Sequence, residues 1–170
     1  MVRPSPFRRL TALLVTSTLL FSSPLAAKES LGVYADWGAF RDANVPRCYA
    51  IAAAEPSSKS RVYDPYVTIG TWPKRAIRGQ FHVRLSRKIG EDARITLRLG
   101  SRQFVLVGGG GDAWGADKAM DAAIVAAMRS ASTMYVGARD KAGNRFSDSY
   151  SLDGVASAMD AATVGCAQAG

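Results

Sequence analysis

The middle of the chain alternates apolar and polar residues with a period of two, over residues 80–87 and again over residues 93–100. Such alternation is typical of β-strands that bury one face and expose the other. Residues 88–92 contain a glycine and two acidic residues, so we expect a turn there and antiparallel pairing of the two strands about Gly90. The chain is therefore constrained to a sheet with one buried face. The apolar positions of the pattern are Phe81, Val83, Leu85, Ile95, Leu97 and Leu99.

Strand character continues on both sides of this pair, and two helices follow late in the chain. Apolar residues at helical spacing predict a helix over residues 117–130 and a second one over residues 153–164. The predicted fold is mainly β with two helices: an antiparallel β-sandwich or rolled sheet, with the long helix and the C-terminal helix packed at its edge. Further strands are predicted at residues 47–54, 66–72, 104–107, 133–139 and 145–150.

Residues 1–27 have the three parts of a secretory signal peptide. Arg3, Arg8 and Arg9 precede an uncharged run over residues 10–21, and small residues lead to Ala27. A membrane-spanning helix needs about 20 apolar residues, so a retained anchor is the weaker interpretation of this shorter run. We expect cleavage after Ala27, a single β-rich domain over residues 28–170, and a periplasmic, secreted or cell-surface location.

The chain has two cysteines, Cys48 and Cys166. In an oxidising compartment two cysteines allow one intramolecular pairing, and exported proteins keep such bonds. We therefore predict a disulfide that fastens the C-terminal segment to an early strand. Two buried free thiols are the alternative.

Positive charge is concentrated in residues 59–102, which carry eleven lysines and arginines against three acidic residues. Pairing about Gly90 would give the two central strands one shared cationic face. We hypothesise that this face binds an anionic envelope glycolipid, an acidic glycan or a host surface protein. The alternative is a solvated face that prevents aggregation of the sheet edge. Nucleic acid is not an expected partner of an exported protein whose arginines lack interleaved aromatic residues. The candidate anion-binding residues are His82, Arg84, Arg94 and Arg98.

The sequence predicts no catalytic residue, metal site or cofactor. His82 is the single histidine, and no Gly-x-Ser-x-Gly turn is present. The glycine run at residues 108–111 lacks the lysine of a phosphate-binding loop, so a flexible connection is favoured. Helix capping and the helix dipole are the predicted roles of Asp112, Asp117 and Asp121. An exported enzyme of the hydrolase type, with a site that the sequence does not reveal, remains the alternative function.

Several patterns recur along the chain in a set order: Trp37, residues 48–51, residues 95–100 and 104–106, the alanine-rich helix ending at Met128, residues 134–136 and residues 151–158. In these residues and in the order of its elements, the chain resembles the invasion-associated locus B family of exported bacterial proteins. The resemblance implies a periplasmic or cell-surface protein that the family name links to host-cell entry, with no established catalytic activity. The chain resembles a divergent member, because it lacks the further cysteines that the family commonly carries near the first tryptophan and before the long helix.

Overall fold

The structure, a computed structural model, describes residues 28–167, so the predicted signal peptide lies outside the described residues. Ten strands and two α-helices confirm a mainly β fold with two late helices. The first two strands and the three-residue eighth strand were not predicted from the sequence. The elements are β1 (Glu29–Tyr34), β2 (Trp37–Asp42), β3 (Arg47–Ala53), β4 (Tyr66–Trp72), β5 (Ile77–Arg84), β6 (Ile95–Leu99), β7 (Arg102–Gly109), β8 (Asp112–Trp114), α1 (Lys118–Met128), β9 (Thr133–Arg139), β10 (Arg145–Ser151) and α2 (Val155–Ala167).

All ten strands belong to one antiparallel sheet with the order β1-β2-β3-β4-β5-β8-β7-β6-β9-β10. Strand β7 joins the two parts of this sheet, because its first residues pair with β6 and its last residues pair with β8. Each strand from β2 to β10 directs alternate side chains into a continuous apolar core. The period-two pattern of the sequence therefore marks the buried face, as expected.

The sheet is rolled, and the last strand returns towards the first ones. The indole Nε1 of the fully buried Trp37 donates to the Ser151 carbonyl at 3.0 Å. The Glu55 amide donates to the Ser149 carbonyl at 2.8 Å. These bonds bring the end of β10 beside β2 and β3 without closing the sheet. The rolled-sheet prediction is confirmed.

Helix α2 packs on β1, β2 and β3, and α1 packs mainly on β5. The disulfide between Cys48 on β3 and Cys166 in α2 fastens the C-terminal helix to the sheet, which confirms the predicted pairing. Asp117 caps α1 by accepting a hydrogen bond from the Met120 amide at 2.8 Å, also as predicted.

Asp121 lies in the first turn of α1, as predicted, and it also has a role that the sequence did not reveal. Strand β8 pairs with β5 over only three residues, the first of them His82, so the Phe81 amide lies beyond the ladder. The buried Asp121 carboxylate accepts a hydrogen bond from that amide at 3.1 Å. A side chain at Gly115 would collide with the carboxylate, so glycine allows this close approach. Asp121 therefore completes the hydrogen bonding of an edge that the sheet leaves open.

We predict that removing the disulfide lowers the free energy of unfolding by about 4 to 5 kcal/mol. The crosslink lowers the conformational entropy of the unfolded chain, and this effect is larger for a long loop. The two cysteines are 118 residues apart in the sequence. The measurement is guanidinium unfolding of the protein and of the Cys48→Ala, Cys166→Ala double variant. Reductant should destabilise the protein and leave the double variant unchanged. Equal stability of the protein with and without reductant would contradict the prediction.

We predict that Asp121→Ala lowers the free energy of unfolding by about 1 to 3 kcal/mol, because the buried Phe81 amide loses its acceptor. Asp121→Asn keeps an acceptor and should cost less.

Burial raises the pKa of Asp121 above its usual 3.8, against the lowering effect of the Phe81 hydrogen bond. The contribution of this carboxyl group to stability is thus greatest below pH 3.8 and declines as the pH rises through the folded-state pKa.

Urea unfolding at several pH values tests whether the Asp121 carboxyl group causes this decline in stability. Asp121→Asn should remove that decline, whereas Asp153→Asn, at an exposed carboxylate, should retain it. The same pH dependence in the protein and in Asp121→Asn would refute the assignment.

Candidate anion-binding site

The four candidate residues do not form one face, because the predicted pairing of the central strands is wrong. Strands β8 and β7 lie between β5 and β6 in the sheet. After β5 the chain does not turn back at Gly90. The amides of the buried residues Leu85 and Ile89 donate to the carbonyls of Gly111 and Gly110, in the turn between β7 and β8. The segment after β5 therefore runs along that turn, and β6 begins on the far side of β7 and β8.

His82 and Arg84 share one carboxylate on the outer face of β5. The Nε2 atom of His82 lies 3.0 Å from Oδ1 of Asp112, and Arg84 forms an ion pair with Oδ2 of the same side chain. Asp112 thus holds both side chains on β5, and it does not cap a helix as the sequence suggested. Aromatic rings also contact His82 and Arg84. The centre of the His82 ring lies 5.1 Å from that of Trp114, and the Arg84 guanidinium lies 4.0 Å from the centre of the Tyr63 ring.

The contact between His82 and Asp112 resembles two members of a hydrolase triad, which also needs a nucleophile. Within residues 28–167 the side chain of His82 makes one hydrogen bond, to Asp112. The two cysteines are joined in the disulfide. No observation at this position favours the hydrolase alternative.

Arg94 and Arg98 line a groove of about 600 Å³ on the outer face of β6, β9 and β10. The strand register sets this composition. Arg98 lies opposite Tyr135 on β9, and Arg139 at the end of β9 lies opposite Arg145 at the start of β10. Lys59, from the connection between β3 and β4, adds a fifth cation. We call this the basic groove, defined by Lys59, Arg94, Arg98, Arg139 and Arg145.

The charges of the basic groove are not balanced by acidic side chains. No aspartate or glutamate lines it, and none of its five cations forms an ion pair within the part of the chain that the structure describes. Arg139 donates to the Gly143 carbonyl at 2.7 Å, and Arg98 lies 5.6 Å from the centre of the Tyr135 ring. Like charges directly opposed on neighbouring strands are destabilising. An anion in the groove would relieve this repulsion.

Sequence reasoning found two of the five cations and missed Lys59, Arg139 and Arg145. A signal for two of them was present, because strands were predicted at residues 133–139 and 145–150 on either side of a short turn. Their pairing places the flanking arginines opposite each other. The predicted cationic face comprises only β5 and β6, so the arginines that flank the later turn are not part of it.

Two further observations concern metal ligands and membrane spans. Between residues 28 and 167, no three histidine, cysteine or acidic side chains come together as a metal site. In the same part of the chain, neither helix is long and apolar enough to cross a membrane.

The family model described as "Invasion associated locus B (IalB) protein" matches residues 41–163. The match runs from β2 into α2 and includes Cys48, the basic groove and Asp112. No curated protein and no solved structure matches the chain. The matched segment is well over half of the 170 residues, and it confirms the resemblance seen in the sequence. The chain belongs to the invasion associated locus B family.

Proposed function

We propose that the protein is an exported interaction module of the invasion associated locus B type, which binds an anionic component of the cell envelope or of a host surface through the basic groove. The observation that carries the proposal is five exposed cations around one groove with no acidic residue in its lining. The family is not known as enzymatic, which favours binding over catalysis.

The residue types of the groove suit oxyanions on a sugar scaffold. Arginine guanidinium groups bind phosphate, sulfate and carboxylate with paired hydrogen bonds. The polar side chains of Thr96, Gln103 and Ser147 lie among the arginines and offer further hydrogen bonds. Tyr135 is 42% exposed at the same place and offers a ring on which a sugar can stack. A phosphorylated glycolipid head group or a sulfated glycan fits this combination better than a flat, uncharged protein surface.

Export is supported by two independent features. Residues 1–27 have the order of a signal peptide, and the Cys48–Cys166 disulfide is the kind of bond that persists outside the cytoplasm. In this proposal the leader is removed after Ala27, and the mature domain of residues 28–170 acts in the periplasm or at the cell surface.

We expect the triple variant Arg94→Gln, Arg98→Gln, Arg145→Gln to bind a sulfated glycan and phosphorylated glycolipid vesicles about tenfold or more weakly, because it loses three charge-assisted contacts. The decline of affinity with salt should also become shallower. The measurement is surface plasmon resonance at two salt concentrations. The matched control is Lys28→Gln, Lys88→Gln, Lys118→Gln, which removes the same charge from exposed lysines outside the groove. Equal loss of binding in both variants would contradict a specific groove.

We expect the protein expressed with its leader to be recovered outside the cytoplasm with Lys28 as its first residue. Intact mass measures the cleavage. Leu14→Arg puts a charge into the apolar run and should leave an uncleaved cytoplasmic protein, whereas Thr18→Ala keeps the run uncharged and should be exported. Recovery of the full-length chain outside the cytoplasm would contradict cleavage.

A further inference from the structure

A second, chemically different cleft of about 590 Å³ lies between α1 and α2 over the inner face of β4 and β5. Its lining is mainly apolar. Ile69 from β4 and Met159 from α2 form deep parts of the surface, and Val125 contributes from α1. Cys166 of the disulfide also lines the cleft, so the crosslink holds one of its walls. Clefts of this size with an apolar lining and few polar groups are typical small-molecule sites.

Small residues keep this cleft open. Gly79 on β5 has a φ of +65°, and a Cβ at this position would contact only Val125, at 3.8 Å. Ala122 and Ala126 face the cleft from α1, and Ala162 faces it from α2. Larger side chains at these positions would fill the space between the helices. The two helices thus pack on the sheet without meeting along this side.

The charged groups of the cleft are all cationic. Arg78 and Arg129 line it, and no carboxylate does. Arg129 forms an ion pair at 2.6 Å with Asp160, which links α1 to α2 and lowers the pKa of that carboxyl group. Arg78 is exposed and makes no ion pair or side-chain hydrogen bond with any residue of the described range 28–167. The exposed Lys74 adds positive charge beside Pro73, another lining residue.

We propose that this cleft binds a single-chain anionic amphiphile of the long-chain fatty acid class. The hydrocarbon chain lies along the apolar lining between α1 and α2, and the carboxylate meets the unpaired Arg78 at the rim. An apolar space with cations at its edge and no acidic residue matches a ligand with one apolar chain and one negative end. The site is separate from the basic groove, since the two have no lining residue in common.

Isothermal titration with dodecanoate, below the concentration at which it forms micelles, tests the proposal. Ala126→Trp places an indole in the cleft from an exposed helix position and should weaken binding by about tenfold or more. Ala119→Trp makes the same change at an exposed alanine of α1 outside the lining and should bind as the unchanged protein does. Undetectable binding of dodecanoate to the unchanged protein, or equal binding by both tryptophan variants, would overturn the proposal.

The ligand class is tested by chain length and by charge. Affinity should rise by about fourfold per methylene from octanoate upwards, until the chain fills the cleft. Arg78→Gln should weaken dodecanoate binding by about three- to fivefold, as expected of one exposed ion pair. Equal affinity for dodecanoate and for an uncharged dodecyl amphiphile would refute the role of the carboxylate. The triple glutamine variant of the basic groove should bind dodecanoate normally, so failure of one proposal is distinguishable from failure of the other.

Discussion

Strand β7 is the joint on which the arrangement of this protein depends. Backbone amides and carbonyls in a folded core must be paired, and β7 satisfies two different partners along its length. Five of its residues pair with β6 and three pair with β8. The sheet therefore continues from β5 through β8 and β7 to β6. This joint separates β5 from β6, and it moves the arginines of β6 to a different part of the outer surface from His82 and Arg84.

Acidic residues pair with cations on the outer face of β5, but they do not do so in the basic groove on β6, β9 and β10. Asp112 forms an ion pair with Arg84 on β5 and contacts His82, and Asp140 pairs with Arg87 near the turn between β9 and β10. Those cations are engaged within the fold. The basic groove on β6, β9 and β10 has no comparable carboxylate in its lining. An uncompensated cluster of arginines has an electrostatic cost to the folded protein, and a bound anion would remove that cost. The contrast distinguishes structural cations from cations that are available to a ligand.

Helices α1 and α2 cover the inner face of β1 to β5 and leave a cleft between them. The disulfide fixes α2 on β3, while Asp121 ties α1 to the open edge of β5. The ion pair between Arg129 and Asp160 links the two helices directly. The apolar cleft lies between these three attachments. Its walls are thus held by covalent, hydrogen-bonded and ionic contacts, and a ligand would enter a site that is largely formed in advance.

The sequence by itself determined the class of the fold and the local elements. Period-two alternation marked the buried face of the strands, helical spacing marked α1 and α2, and two cysteines in a chain with a predicted signal peptide allowed one pairing. These features depend on neighbouring residues or on simple counting. The order of strands depends on contacts between distant segments, and residues 88–92 contain the ordinary signals of a turn. The hairpin prediction about Gly90 therefore failed, although both of its strands exist.

The same limit applies to the candidate site. The sequence located Arg94 and Arg98 on an exposed strand face, because alternation decides which side chains point outwards. Only the tertiary structure placed Lys59, Arg139 and Arg145 beside them. It also placed His82 and Arg84 in contact with Asp112. The physical reason is that charge compensation depends on distance in space, which the pairing of strands far apart in the chain decides. The sequence determined which face of the central strands is buried and which is exposed, and the tertiary structure decided which of the exposed charges are neighbours.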